Sequence, residues 1–258
     1  MFRLLATALS LWALSVNTSF AEPTHTHPID SVRPQATLEK LLEDNGDYQK
    51  KHGHNFFAQF QNEQTPSITL LSCSDSRAHS NSFLSNPTNT VFSIRNIGNQ
   101  VHNNFGSVDY GIYHLHTPIL LILGHTHCGA VHAALSNYQS ESFAIVREID
   151  HLAIPLRNLL SPLPIYQDIE NVWNHGVEQN VDYRVNTALR RYDQEIKQKK
   201  LMIIGAVYDF TNAYDQGEGQ LIITNVNGVT QVNPIKTQLK GVDSELLEEA
   251  VQRITEAL

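Results

Sequence analysis

The chain has 258 residues and a formal net charge of −8, because 26 acidic side chains outnumber 18 basic ones. An acidic chain without a run of basic residues argues against nucleic acids and anionic lipid surfaces as partners. Its length is that of one large domain with enough apolar material for a core.

Residues 1–21 have the parts of a secretory signal peptide. Arg3 supplies a positive charge, residues 4–16 are mainly apolar, and Ser19-Phe20-Ala21 offers small residues at the −3 and −1 positions of a cleavage site. We therefore expect cleavage after Ala21 and a periplasmic or secreted mature protein with no membrane-spanning segment. The alternative is an uncleaved N-terminal anchor.

The mature chain is predicted to begin with a short lead-in and a helical arm. Residues 22–35 are polar and contain prolines, which is typical of a flexible segment, and residues 36–258 are expected to form a single domain. Helical spacing of apolar residues over 37–64 predicts two short helices, broken at Asn45-Gly46.

The rest of the chain alternates between predicted strands and helices. Five apolar segments predict strands, and a turn-rich stretch before the last makes that strand an antiparallel candidate: 67–72, 89–94, 118–123, 201–208 and 220–227. Helical patterns are found over 105–116, 129–135, 141–160, 164–199 and 244–258, the last with Ser244 as N-cap. We therefore predict an α/β fold with a central, mainly parallel sheet of four parallel strands and an antiparallel fifth, flanked by helices.

The only two cysteines of the sequence each follow a predicted strand. Cys73 opens Cys-Ser-Asp-Ser-Arg, and Cys128 stands in Gly-His-Thr-His-Cys-Gly. Ligands of such sheets bind beyond the carboxyl ends of the strands, so the two motifs are predicted to meet at one edge. Two thiolates and an imidazole suit Zn²⁺, with a fourth position for a carboxylate or water.

A disulfide is the competing interpretation of the two cysteines. In an oxidising compartment, a Cys73–Cys128 bridge is as plausible as a metal site on count alone. A bridge has no need of the neighbouring Asp75, Arg77 and His125, whereas a metal site uses all three. The neighbours therefore favour the metal site.

Two histidines compete for the role of imidazole ligand. Neighbours on an extended strand alternate between its faces, so His127 and Cys128 would diverge there. His125 precedes a turn and Cys128 follows it, which lets both converge if the chain bends before Gly129. If the strand continues to Cys128, however, His125 and His127 share a face, and the residues alone leave the choice open.

Taken in order, these motifs resemble the β-class carbonic anhydrases. The similarity runs from about Gln64 to Asp209 and includes Phe92-Ser-Ile-Arg-Asn-Ile-Gly-Asn and Gly205-Ala-Val-Tyr-Asp. It implies a lyase (carbonate dehydratase) that reversibly converts CO₂ and water to bicarbonate and a proton by attack of zinc-bound hydroxide. It also implies one Zn²⁺ per chain.

The resemblance assigns roles to individual residues of the two cysteine motifs. The implied zinc ligands are Cys73, His125 and Cys128. The implied catalytic pair is Asp75 and Arg77. In an open state Asp75, held by Arg77, accepts a hydrogen bond from the zinc-bound water, and only in a closed state does it ligate zinc itself.

The resemblance also implies a substrate pocket of the plant type, built from Gln64, Phe92, Ile97, Tyr110 and Gly129. In that type the residues equivalent to Gln64, Phe92 and Tyr110 come from a neighbouring subunit, which implies a homodimer or higher homo-oligomer with shared active sites. The family's other type has an inhibitory bicarbonate site that needs a Trp where this chain has Leu70. That site is not expected to form in the same way, although Arg95 and Tyr208 match its other positions.

Two further functions are kept as alternatives. Relatives of the family hydrolyse CS₂ or COS with the same fold. The 13 histidines raise the possibility of a non-catalytic periplasmic zinc-binding protein, with weak sites at His25-x-His27, His52-x-His54 and His114-x-His116. Three other histidines are candidates for passing protons to buffer at the mouth of the site: His79, His102 and His132.

Overall fold

The computed structural model describes residues 33–159 and 169–254. The predicted signal peptide and residues 22–32 of the predicted lead-in therefore lie outside the described residues. In the part of the chain that is described, no helix is both long and apolar enough to cross a membrane. The chain divides into two units, residues 1–59 and 60–258.

The described part of the first unit is the helical arm, α1 (Pro34–Ala58). The predicted break at Asn45-Gly46 is wrong, because the helix passes through both residues without interruption. The interruption falls at Gly53, where φ is 63° and ψ is 179°. Glycine within a helix costs only about 1 kcal/mol, whereas this left-handed φ with an extended ψ is essentially restricted to glycine.

A five-stranded sheet forms the centre of the second unit. Its strands are β1 (Ile68–Cys73), β2 (Val91–Asn96), β3 (Ile119–His125), β4 (Met202–Asp209) and β5 (Gln220–Val226). Their order across the sheet is β2-β1-β3-β4-β5. All neighbours are parallel except β4 and β5, which are antiparallel. The predicted mainly parallel α/β sheet is confirmed.

Helices and short turns connect the strands. They are two 3₁₀ turns (Ser80–Ser82 and His102–Asn104), α2 (Phe105–Asp109), a π-helix (Tyr110–His114), α3 (Gly129–Leu135), α4 (Phe143–Ala153), α5 (Ile169–Arg191), α6 (Asp193–Lys197), α7 (Val232–Gln238) and α8 (Ser244–Ala250). The predicted long helix over 164–199 is divided at Tyr192 between α5 and α6. The N-cap of α8 is Asp243 rather than Ser244, since the Asp243 carboxylate accepts the backbone N–H groups of Glu245 and Leu246.

The main core lies between the sheet and α5. Alternate residues of the central strands face this side, among them Leu71 and Ile122, and they are fully buried. A Cβ atom at Gly124 would lie 2.8 Å from a methyl of Val181 on α5. The absence of a side chain at Gly124 therefore lets α5 approach the end of β3.

The opposite face of the sheet carries a second, smaller apolar cluster. Its buried members from the strands are Leu70, Leu121, Leu123, Ala206 and Tyr208. Two partly buried phenylalanines from the loops beyond the strands, Phe83 and Phe210, pack against them. This face therefore continues past the carboxyl ends of the strands, where the cysteine motifs lie.

The π-helix is packed directly against β1. A Cβ atom at Gly111 would lie 2.1 Å from the Oγ1 atom of Thr69, which leaves room only for glycine. The hydroxyls of Thr69 and Thr117 are 2.7 Å apart, and Thr117 donates to the Gly111 carbonyl at 3.2 Å. The predicted helix over 105–116 thus changes from α to π geometry where it meets the sheet.

Candidate metal centre

Three potential ligands meet at the carboxyl edge of the sheet. Cys73 is the last residue of β1, His125 is the last residue of β3, and Cys128 directly precedes α3. One ligand atom of each residue lies within 4.8 Å of the others, and all three residues are buried. Both cysteines are free, so the alternative of a disulfide is not realised in this structure.

The chain bends between His125 and Cys128, as the convergence of these two residues requires. Thr126 continues the strand ladder by donating its N–H to the Tyr208 carbonyl at 3.1 Å. His127 then takes a left-handed φ of 51°, which turns the chain toward α3. The bend brings the Cys128 sulfur back beside the imidazole of His125.

The hydrogen bonds of His125 leave one ring nitrogen available to a metal. Its Nδ1 lies 2.9 Å from the Thr126 carbonyl, which can only accept, so Nδ1 carries the proton. Its Nε2 is buried and has no hydrogen-bond partner among the described residues. An unprotonated nitrogen with its lone pair toward two sulfurs fits a soft divalent cation, and the bond from Nδ1 to a carbonyl is the usual support of a ligating histidine.

His127 is turned away from the sulfurs. Its Nε2 lies 3.0 Å from a Glu170 carboxylate oxygen, and its ring stacks on Trp173 with centroids 4.7 Å apart and planes 6° from parallel. Trp173 also donates its indole N–H to the Cys128 carbonyl at 2.8 Å. The first turns of α5 therefore hold the bend that separates the two histidines.

The two thiols are arranged to share a proton. A hydrogen bond from the Cys128 thiol is the main cause that lowers the pKa of Cys73 to about 4, and burial opposes it. The same hydrogen bond, together with burial, raises the pKa of Cys128 well above its usual value. The pair thus holds one thiolate and one thiol, and a divalent cation that binds both sulfurs displaces the remaining proton.

Asp75 and Arg77 form a two-pronged ion pair beside the three ligands. Arg77 Nε donates to Asp75 Oδ1 at 2.9 Å and Nη2 donates to Oδ2 at 2.7 Å. These bonds are the main reason why the pKa of Asp75 falls to about 2. Asp75 Oδ2 lies 3.6 Å from Nε2 of His125, so the carboxylate is adjacent to the three candidate metal ligands.

Arg95 supports the loop that carries this pair, a role that the sequence did not indicate. Its guanidinium donates to the Cys73 carbonyl at 2.9 Å, to the Asp75 carbonyl at 2.7 Å and to the Ala78 carbonyl at 3.0 Å. Arg95 lies on β2, next to β1 in the sheet. A single side chain thereby fixes the backbone that presents both the sulfur and the carboxylate.

The predicted pocket residues do not all gather around the sulfurs of their own chain. Gln64 and Tyr110 line one open cavity of about 690 Å³. The Phe92 ring lies 5.6 Å from the ring of Tyr110. Among the described residues that line this cavity there is none of the three candidate ligands. Ile97 lines a different cavity of about 310 Å³, and Gly129 is the first residue of α3.

The other predicted histidine sites are not assembled into comparable groups. Within the described ranges, no second set of three His, Cys, Asp or Glu residues brings its ligand atoms as close together. His25 and His27 lie outside those ranges. Of the candidates for proton transfer, His132 packs on Trp173, which connects it to the bend at His127, whereas His79 and His102 are exposed.

Comparisons with known proteins agree with this geometry. The carbonic anhydrase family profile matches residues 68–215. A carbonic anhydrase of Synechococcus elongatus is 27% identical over 216 residues, which span 78% of this chain and 77% of the relative. A carbonic anhydrase of Candida albicans is 29% identical over 200 residues, which span 71% of this chain and 69% of the relative.

Solved structures of low sequence identity share the fold. A tetrameric β-carbonic anhydrase of Sordaria macrospora superposes with a TM-score of 0.65 at 22% identity, covering 73% of this chain and 96% of that one. The Coccomyxa β-carbonic anhydrase in complex with acetazolamide gives a TM-score of 0.62 at 20% identity. The match covers 80% of this chain and 92% of that one. The chain therefore belongs to the carbonic anhydrase family and has the fold of the β-class enzymes.

Proposed function

We propose that this protein is a zinc enzyme that reversibly hydrates CO₂ to bicarbonate and a proton, with one Zn²⁺ per chain bound by Cys73, His125 and Cys128. The observation that carries the proposal is the buried group of these three side chains, in which Nε2 of His125 has no hydrogen-bond partner among the described residues. Two sulfurs and one nitrogen would hold zinc with three protein ligands, the number found in catalytic zinc sites, where water takes the fourth position.

The division of labour follows from the chemistry of the site. Zinc supplies Lewis acidity, which lowers the pKa of water from ~15.7 to ~7 and so provides hydroxide to attack CO₂ near neutral pH. Asp75, with a pKa of about 2, stays ionised at neutral pH and accepts a hydrogen bond from the attacking oxygen. Arg77 occupies both carboxylate oxygens of Asp75 and so keeps this side chain out of the ligand set.

We propose that the substrate pocket is completed by a second copy of the chain. Gln64, Phe92 and Tyr110 would be contributed to the neighbour's zinc site, and Ile97 and Gly129 to the chain's own. The support is that Gln64 and Tyr110 share a cavity whose described lining includes no candidate ligand, and that one structural neighbour is tetrameric. An apolar wall with a single amide donor suits a small linear molecule such as CO₂.

We also propose that the enzyme is exported. The support is the charge, the apolar stretch and the cleavage-site residues of the first 21 positions. After cleavage following Ala21, the mature chain would begin with a polar lead-in that ends where α1 starts at Pro34, and the catalytic domain would follow. The active site would then work in the periplasm or outside the cell.

The test uses the purified mature chain, with zinc measured by elemental analysis and CO₂ hydration measured by stopped-flow with a pH indicator. Cys73→Ala and His125→Ala should lose zinc and activity together, because a two-ligand remnant binds zinc poorly. His127→Ala is the matched control and should keep about one zinc per chain and most of the activity. The same preparation offered CS₂ and COS measures the alternative hydrolase activity.

Three results would contradict the proposal. One is zinc-loaded protein that does not hydrate CO₂, as expected of a non-catalytic zinc-binding protein. Another is active protein that contains no metal. The third is a reversed pair of variants, in which His127→Ala loses zinc and His125→Ala keeps it.

A further inference from the structure

Phe210 contacts two functional side chains of the metal centre, although it belongs to neither cysteine motif. The residue directly follows β4 and is partly buried. The Arg77 guanidinium carbon lies 4.8 Å above the centroid of its ring. The ring of His125 stacks on it with centroids 5.9 Å apart and planes 23° from parallel.

The position of the Phe210 ring is fixed by the turn in which it stands. Its backbone N–H donates to the Thr126 hydroxyl at 3.2 Å, next to His125. The preceding Asp209 is fully buried, and its carboxylate accepts the N–H groups of Thr211 at 3.1 Å and Tyr214 at 3.0 Å. The turn that presents the ring is therefore held by hydrogen bonds to Thr126 on one side and to the Asp209 carboxylate on the other.

Arg77 needs such support because much of it faces solvent. Its side chain is 51% exposed, so water screens the guanidinium, and holding it in one orientation costs side-chain freedom. A guanidinium above an aromatic face gains a cation–π attraction, and the stacking also sets the plane of the guanidinium. That plane decides whether Arg77 can bind both oxygens of Asp75.

We propose that Phe210 is a positioning residue of the active site. Its ring holds the guanidinium of Arg77 in the orientation that binds Asp75 through two hydrogen bonds, and it braces the imidazole of His125. The catalytic consequence rests on the function proposed above. The structural claim is independent of that function, because it concerns only the contacts of Phe210 with Arg77 and His125.

The test compares Phe210→Leu and Phe210→Met, which remove the aromatic face, with Phe210→Tyr, which keeps it. The control is Phe83→Leu. Phe83 belongs to the same apolar cluster and lies 6.4 Å from the Tyr208 ring, while Phe210 lies 6.1 Å from it. In the described part of the chain, Phe83 neither stacks on His125 nor lies under Arg77.

The first measurement does not depend on activity. Zinc-loaded protein is treated with phenylglyoxal, and the modification rate of each arginine is followed by peptide mass spectrometry. Arg191 is an internal reference, because it also pairs with a carboxylate and lies above an aromatic ring, 4.5 Å from the centroid of Phe105. Phe210→Leu and Phe210→Met should raise the rate at Arg77 about fivefold, which corresponds to about 1 kcal/mol, and leave Arg191 unchanged.

The second measurement is zinc content together with CO₂ hydration. The two aliphatic variants should keep about one zinc per chain and lose kcat/KM about fivefold. Phe210→Tyr should remain within about twofold of the wild type, and so should Phe83→Leu.

The proposal is overturned if Arg77 reacts no faster in the aliphatic variants, or if Phe83→Leu exposes it equally. If either Phe210→Leu or Phe210→Met fails to fold, the other is compared with Phe210→Tyr and the wild type. If Arg77 responds as expected in a protein without zinc or hydratase activity, the proposed function fails and the positioning role stands. If activity is intact and Arg77 does not respond, only the positioning role fails.

Discussion

Glu178 gives this protein a pH-dependent stability that can be measured directly. The residue lies on α5 and is fully buried. Its Oε1 accepts the Tyr214 hydroxyl and the Ile254 N–H, both at 2.9 Å. Arg253 Nη2 lies 3.0 Å from Oε2 without making a hydrogen bond to it. Burial is the main cause that raises the pKa of Glu178 to about 7, and the charge of Arg253 only partly offsets it.

The substitution that exposes this effect is Glu178→Gln, because glutamine has a similar shape and does not titrate. Between the ordinary pKa of 4.5 and about 7, the folded protein keeps the proton on Glu178 while the unfolded chain has released it. The folded state then binds more protons, so its stability falls as pH rises through this window. A shift of this size corresponds to about 3 kcal/mol of unfolding free energy.

The assay is urea unfolding of both zinc-loaded proteins at pH 5, 6, 7 and 8. The two proteins share the same metal centre, so its pH dependence cancels in the difference between them. From pH 5 to pH 8 the wild type should lose about 2 to 3 kcal/mol relative to Glu178→Gln. The reasoning is wrong if the unfolding free energies of the two proteins change with pH in parallel, or if that of the wild type rises relative to Glu178→Gln as pH rises. Either result would show that Glu178 is ionised throughout and stabilised by Arg253.

Two further substitutions test the packing of the π-helix and the ion pair of the metal centre. Gly111→Ala should lower the free energy of unfolding by about 1–3 kcal/mol, because its Cβ would lie 2.1 Å from Thr69 Oγ1. Gly106→Ala, in α2, is the urea-unfolding control: a Cβ there meets nothing within 4 Å, so alanine should not lower stability and should raise it by up to about 1 kcal/mol. Arg77→Ala should lower CO₂ hydration at least about tenfold and move its pH–rate profile to higher pH, because Asp75, no longer held by Arg77, would be free to join the metal ligands. A profile identical to the wild type would rule out a gating role for the pair.

The sheet and the metal centre could be predicted from the sequence because their signals are local. Apolar runs of strand length mark β1 and β3, and the candidate metal ligands stand at or just beyond the ends of these strands. The topology of parallel strands then brings Cys73 and Cys128 to one edge without further information. The family resemblance selected His125 over His127, whereas strand geometry alone left the choice open, because the position of the bend depends on a left-handed φ at His127.

What the sequence could not predict depends on contacts between distant residues. Arg77 follows β1 and Phe210 follows β4, so they are far apart in the sequence, and no local pattern indicates that they are in contact. The helix α7 is not among the predicted elements; it has only seven residues and contains Pro234, which is tolerated because it lies in the first turn. The break at Gly53 was missed because two glycines of α1 differ only in backbone conformation, not in sequence pattern.

The pairing of β1 with β3 has a consequence for how the protein folds. Cys73 ends β1, whereas Cys128 lies beyond the end of β3. Residues that meet at the site, such as Arg77 and His127, are therefore 50 positions apart in the sequence. Forming such non-local contacts requires the closure of a long loop, which makes parallel sheets slow to fold. Until that step the two thiols are separate and solvent-exposed, and only afterwards are they buried side by side. The speed of central strand pairing therefore sets how long each newly made chain is open to oxidative damage.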